Sequence, residues 1–207
     1  MIDFQEISKW LTDFSSNIKM DLFWTLVSGI FLFLLKQFCD YRNEVSVRTR
    51  KISACKLLIL QETKLNLDSL TCMLSILNEI EALEREGGES KFTLSIREMG
   101  NEYLIGELDD VLKISRPIPQ SFDNVYHKVL LDVAELNKSF FFSVQNGYEG
   151  LSKLKHIHSG LIKCLQAEQN NEPFPHNIAR SGFVEYAKNE LGRAEVHLIK
   201  LRDYCEA

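Results

Sequence analysis

Residues 20–39 read MDLFWTLVSGIFLFLLKQFC, and the layout of the whole chain turns on them. Residues 22–35 carry no charge, and their three Phe and five Leu leave no side of a helix that water would solvate. Fourteen residues fall short of the roughly 20 that a helix needs to cross a bilayer. The flanks complete the span. Across 20–39 only Asp21 and Lys36 are charged, one near each edge. Lys36 can extend its stem to bring its ammonium to the headgroups, and Trp24 suits an interface. The preceding residues are too many and too acidic for a signal-peptide n-region, and no small-residue cleavage site comes after the segment. A retained single-pass membrane helix is therefore expected.

Basic residues set its orientation. Lys9 and Lys19 precede the segment, whereas Lys36, Arg42, Arg48, Arg50, Lys51 and Lys56 follow it. The positive-inside rule places the C-terminal bulk in the cytoplasm, with a bacterial inner membrane favoured. Five cysteines (Cys39, Cys55, Cys72, Cys164 and Cys205), with no C-x-x-C pair, agree with a reducing compartment. Ahead of the span, Phe4, Ile7, Leu11, Phe14 and Ile18 recur at helical spacing opposite Asp3, Glu6, Lys9 and Asp13. This pattern predicts an amphipathic helix lying on the membrane or packing on another copy. The expected organisation is residues 1–43 as amphipathic plus transmembrane helix and 44–207 as a cytoplasmic domain.

That domain reads as all-α, a bundle of about four main helices. Residues 45–86 hold no Gly or Pro, with Leu60, Leu67 and Leu74 at seven-residue spacing and Leu70 and Leu77 likewise. As one helix they would extend about 60 Å, stopped by Gly87-Gly88. Residues 91–96, KFTLSI, suit a short strand or a loop, and a short helix is expected over 96–114. Pro117 and Pro119 break the chain, and Ser121 can cap a helix with Val125, Val129, Val133, Leu136, Phe140 and Val144 on one face. Asn146-Gly147 would end it, and another helix would run over 148–167. The last helix, starting near Asn177 or Ser181, carries Val184, Ala187, Leu191, Ala194, Leu198, Leu201 and Cys205. Their 3-4 spacing with small residues predicts close helix approach.

A net charge of −5 argues against general nucleic-acid binding. No Gly-rich phosphate loop, G-x-S-x-G, H-E-x-x-H or paired C-x-x-C occurs. The histidines are His127, His156, His158, His176 and His197. His156 and His158 lie two apart and would point to opposite sides of a helix, which does not suit a shared metal. No cofactor or metal is expected, and an enzyme is the less favoured reading. The span itself has a polar stripe. Asp21, Thr25, Ser28, Leu32 and Lys36 step by 4, 3, 4 and 4 along one face, with Gly29 beside Ser28. A lone helix would show that stripe to lipid at a cost. Several copies can turn it to a shared centre, wet or dry, so a homo-oligomer is expected.

One pair invites comparison with a known family. Arg193 and His197, in GRAEVHLIK, share a helical face. HEPN-superfamily nucleases use an Arg and a His spaced R-x4-6-H on one helix. Here the spacing is R-x3-H, one residue short, and the resemblance covers the last helix. A hydrophobic N-terminal helix joined to such a bundle also resembles the small membrane accessory proteins of RNA-targeting type VI CRISPR loci. The resemblance implies a homo-oligomeric membrane pore acting in antiviral defence, in contact with lipids and with a protein partner or an activating nucleoprotein complex. Two other functions stay open: a tethered adaptor or scaffold without a conduit, and a membrane-bound ribonuclease using Arg193 and His197.

Overall fold

A computed structural model describes residues 20–96, 101–173 and 180–207, together with Lys9 and Thr12; for residues 20–22 it describes the backbone alone. The amphipathic face expected over 2–18 lies outside the described residues, as does the start of the last helix around Asn177. The chain divides into two compact units, Met1–Lys51 and Ile52–Ala207. Four helices with defined bounds and a three-stranded sheet make up the described residues. They are α1 (Met20–Arg85), β1 (Ser90–Ile96), β2 (Glu102–Leu108), β3 (Val111–Pro117), α2 (Asn124–Leu136), α3 (Lys138–Gln169) and α4 (Arg180–Glu206). The protein is thus mostly helical, and the all-α expectation holds only approximately.

Helix α1 is unbroken because nothing between Gly29 and Gly87 interrupts it: no Gly or Pro occurs there. It ends where expected. Gly87 takes the left-handed φ of +72° just beyond the last turn, a conformation that costs Gly little. From Cys55 onward one face is buried. Leu70 and Leu77 are fully enclosed, while Leu67 and Leu74 pack at the margin of the same cluster.

Of the helix expected over 96–114, residues 97–100 lie outside the described residues, and Ile96, 102–108 and 111–114 belong instead to an antiparallel meander in the order β1-β2-β3. Leu104, Leu108 and Val111 fit a 4-3 helical spacing, which is why the period misleads. The local chemistry decides otherwise. Leu104, Gly106 and Leu108 alternate inward along β2. Asp109 and Asp110 both adopt positive φ, 51° and 61°, and form the two-residue turn that pairs Leu108 with Val111. Asp is a poor helix former but tolerates the left-handed region that such hairpins need. Gly106 packs tightly, since a Cβ there would lie 3.2 Å from the Phe92 ring and 3.1 Å from Ile114.

Two further expectations are corrected around α2. Ser121 does not cap it. Asp123 occupies the N-cap without a side-chain capping bond, and Glu62 of α1 accepts hydrogen bonds from Val125 N (2.7 Å) and Tyr126 N (3.1 Å). The helix also stops at Leu136 rather than at Asn146-Gly147. Asn137 is extended, and its side chain accepts from Phe140 N at 2.9 Å, so one residue ends α2 and caps α3. Helix α3 then runs straight through Gly147 because that glycine is a packing position: a Cβ there would fall 2.3 Å from Leu201 Cδ2. At Gly150 it would fall 2.8 Å from the Ala194 carbonyl oxygen.

The opposing stripe on α4 is as expected. All seven residues from Val184 to Cys205 are buried, with Ala187, Leu191 and Ala194 fully enclosed. One hydrophobic cluster joins the end of α1, the sheet, α3 and α4. A second joins Cys55 and Ile59 of α1 to Val129 and Val133 of α2, Phe140 and Val144 of α3, and Leu201 and Cys205 of α4.

Arg180, at the start of α4, ties the first cluster shut. It meets Glu168 at 2.6 Å and Glu84 at 3.4 Å, donates to Ser90 Oγ at 3.2 Å and lies 4.6 Å above the Phe92 ring.

Two glycines give opposite predictions. Gly150→Ala drives a methyl into the α4 backbone and should destabilise by about 1–3 kcal/mol. Gly192→Ala meets open space in mid-helix and should stabilise by about 0.5–1 kcal/mol. Thermal unfolding of the helical circular dichroism signal, in detergent, reads both signs. A Gly150→Ala midpoint equal to that of the parent would contradict the close α3–α4 approach.

Candidate functional site

The unit Met1–Lys51 presents a helix whose described apolar side chains are exposed. Trp24, Phe31, Leu32, Phe33 and Phe38 are each at least 60% exposed, and every other described side chain from Phe23 to Leu35 is exposed as well. The helix is long and apolar enough to cross a membrane by length and composition, and none of its apolar stretch is buried. Because this segment is helical throughout, the predicted spacing holds. Thr25, Ser28, Gly29, Leu32 and Lys36 share a face, and all five are exposed. The side chain of Asp21 lies outside the described residues.

The face combines small size with self-satisfied polarity. Ser28 Oγ donates to the Thr25 carbonyl oxygen at 3.0 Å, so the hydroxyl needs no external acceptor. A Cβ on Gly29 would meet nothing within 4 Å, which leaves room for another backbone to approach. Lys36, at the edge, carries the charge.

The other predicted pair sits elsewhere. Arg193 is 70% exposed, and its guanidinium donates to Glu190 at 2.6 Å. Glu190 also receives Lys153 at 2.7 Å, and this hydrogen bond is the main reason its carboxyl lies below the usual range. His197 is half-buried where α4 meets α3, its Cβ 2.9 Å from where a Cβ on Gly150 would stand. The two residues share a face of α4, and Arg193 pairs with Glu190 through one guanidinium nitrogen only.

A polar constellation that the sequence reading did not assemble lies between α2 and α3. Tyr126 and Tyr148 stack with ring centroids 3.8 Å apart. His127 Nε2 lies 3.1 Å from Asp123 Oδ2 and 3.4 Å from the Tyr148 hydroxyl. Lys155 donates to the same Asp123 oxygen. That bond, ahead of the His127 contact, holds the Asp123 carboxyl below its ordinary value, and burial raises the Tyr126 phenol. Both partners meet one imidazole nitrogen, so the ring lacks the triad arrangement, in which a carboxylate orients one nitrogen while the other exchanges a proton with the nucleophile. The group is a clasp. The i, i+4 spacing of Asp123 and His127 was its one visible signal. His158 lies 3.3 Å from Glu102, although Nε2 makes no hydrogen bond. Among the described residues, no three His, Cys, Asp or Glu side chains gather as metal ligands would.

No protein-family model, curated protein or solved structure matches the chain. The functional reading therefore rests on its own residues.

The clasp has a pH signature. A depressed carboxyl contributes stability above its ordinary value, 3.8 for Asp123, and loses it as pH falls through the lowered folded value. Asp123→Asn should therefore be less stable than the parent at neutral pH and should lose less stability on acidification below pH 3.8. Unfolding midpoints of both proteins across the acid range check this, and parallel curves would contradict it.

Proposed function

We propose that this protein is a homo-oligomeric single-span membrane effector. Its copies associate through the face carrying Thr25, Ser28, Gly29, Leu32 and Lys36, with Asp21 at the far edge. Its C-terminal domain is cytoplasmic, in a bacterial inner membrane, and senses or assembles while the N-terminal helices line or perturb the bilayer. One observation carries the reading: a long apolar stretch left wholly uncovered, on a chain whose other unit builds ordinary buried cores. In water, such a surface far exceeds what soluble monomers expose. In lipid it needs no cover, and small residues then favour helix packing. The likeness in layout to the HEPN-like membrane accessory proteins supports a pore that acts in antiviral defence, triggered by a protein or nucleoprotein partner.

A second reading has its own support. The Ser28 hydroxyl is satisfied by its own helix, so the face packs as readily dry as wet. That observation favours a tethered adaptor with no conduit.

Replacing Ser28 with Leu separates these. Insertion should be unimpaired, since the substitution adds apolar surface. Ion leak in cells expressing the protein should fall at least about tenfold, and the particle in detergent should change size. Phe31→Leu, on another face, should change neither. A parent that self-associates but never leaks supports the adaptor, whereas Ser28→Leu without effect on either measurement makes the stripe incidental.

Topology has a convenient reporter. Burial pushes the Cys164 and Cys205 thiols up, the latter to about 11, whereas Cys72 is exposed. In a Cys39→Ser background, a membrane-impermeant maleimide should label Cys72 only after lysis. Labelling in intact cells would reverse the orientation.

A further inference from the structure

The helix changes character immediately after its apolar stretch. Residues 36–51 hold five basic side chains, Lys36, Arg42, Arg48, Arg50 and Lys51, against two acidic ones, Asp40 and Glu44. This segment carries +3 in a chain of −5, so the rest carries −8. All five basic residues are exposed and lie on α1. At about 100° per residue, Arg42, Arg48, Arg50 and Lys51 stand roughly 240°, 120°, 320° and 60° around the axis from Lys36. No gap between neighbours exceeds about 120°. The charge therefore forms a collar, not a stripe.

That distribution selects among partners. A folded protein or a nucleic-acid duplex meets a helix from one side and leaves the opposite charges unused. Lipid headgroups surround a membrane helix and present the same chemistry in every direction. The axial position fits as well. Arg42 lies about 9 Å beyond Lys36 along the axis at 1.5 Å per residue. The headgroup layer is about 5–8 Å deep, within the reach of an arginine side chain. Arg48, Arg50 and Lys51 lie about 18–22 Å out, roughly 10–17 Å past the headgroup layer; their long side chains reach back over part of that distance, and the surface field meets them weakened over a Debye length of about 8–10 Å. Arg42 also rests over the Phe38 ring at 5.9 Å, so an aromatic at the apolar boundary supports the guanidinium nearest the headgroups. Copies packed through the Ser28 face would leave Arg42, Arg48 and Lys51 turned toward lipid.

We propose that the collar binds anionic phospholipid headgroups and enriches them around the helix on the side of the larger domain. The inference rests on the membrane reading and adds a ligand class to it: a phosphodiester headgroup with net negative charge. A basic residue near an anionic surface contributes about 1 kcal/mol, or about fivefold in association. Residues farther out contribute less.

The test uses the full chain reconstituted in phosphatidylcholine bilayers with a trace of spin-labelled phosphatidylglycerol or spin-labelled phosphatidylcholine. Electron spin resonance reads the fraction of each label slowed at the protein surface. The expected result is a preference for phosphatidylglycerol of about fivefold, falling toward one in 1 M salt, where the Debye length is about 3 Å. Arg42→Gln/Arg50→Gln/Lys51→Gln should lower it clearly, and Arg42→Gln alone, at the collar residue next nearest the headgroups after Lys36, should account for the largest share of that loss. Lys113→Gln/Lys128→Gln/Lys163→Gln, an equal charge change on exposed sites of the other unit, should leave it intact. Equal slowed fractions of both labels in the parent would overturn the inference while leaving the membrane reading standing. So would a preference that survives the collar substitutions or is lost equally in the control. No slowed component for either lipid would overturn the membrane reading and the inference with it.

Discussion

Glu62, Asn66 and Ser69 lie on the buried face of α1, at most 8% exposed; the backbone leading into α2 satisfies Asn66 and Ser69, and the first turn of α2 satisfies Glu62. Asn66 donates to the Phe122 carbonyl at 2.7 Å and accepts from the Phe122 amide at 2.8 Å; Ser69 donates to Gln120 O at 2.7 Å. Glu62 supplies the helix cap that Asp123 does not. Leu and Ile on a helix tolerate sliding, whereas a buried amide bonded at both ends does not. Breaking one such bond leaves a buried group unpaired, at a cost of about 1–3 kcal/mol. This seam fixes the register of α1 against the chain that crosses it. It also frees Asp123 to join Lys155 and His127 in the clasp.

The same economy of close approach organises the other side. Gly147 and Gly150 on α3 meet Leu201 and Ala194 on α4 at distances that exclude any Cβ. Arg180 joins residues from the end of α1, from β1, and from α3 through Glu84, Ser90, Phe92 and Glu168. Cores, seam and ion-pair node together account for the unit Ile52–Ala207 without drawing on the apolar stretch of residues 22–35. That independence leaves the stretch free for another medium.

The elements legible in sequence were those whose period had no competitor. The α4 stripe from Val184 to Cys205 could be read residue by residue, because its 3-4 spacing persists for six steps. The Gly87 stop was legible because only a left-handed residue fits there. The hairpin at Asp109-Asp110 was not, since its apolar residues also satisfy a helical period and only the turn chemistry separates the two. The α2–α3 boundary was misplaced for a related reason. Asn146-Gly147 is a strong local turn signal, yet packing against Leu201 uses its glycine inside a helix. The weaker Asn137 makes the break because its side chain caps α3. Of the candidate site, the face of Thr25, Ser28, Gly29, Leu32 and Lys36 could be drawn from spacing alone. The clasp could not, since Tyr148 and Lys155 reach it from another helix.

A helix long and apolar enough to cross a membrane carries an exposed face of small and polar residues, and the unit Ile52–Ala207 builds its cores without it. Lipid offers no gain for hiding Phe or Leu, so in the proposed assembly the association falls to packing at Ser28 and Gly29. The most direct measurement is the protein mass of the detergent-solubilised particle by light scattering, corrected for bound detergent. The account predicts a defined multiple of the 23.9 kDa chain, at least two copies, stable on dilution. A particle of one chain at every concentration would contradict it.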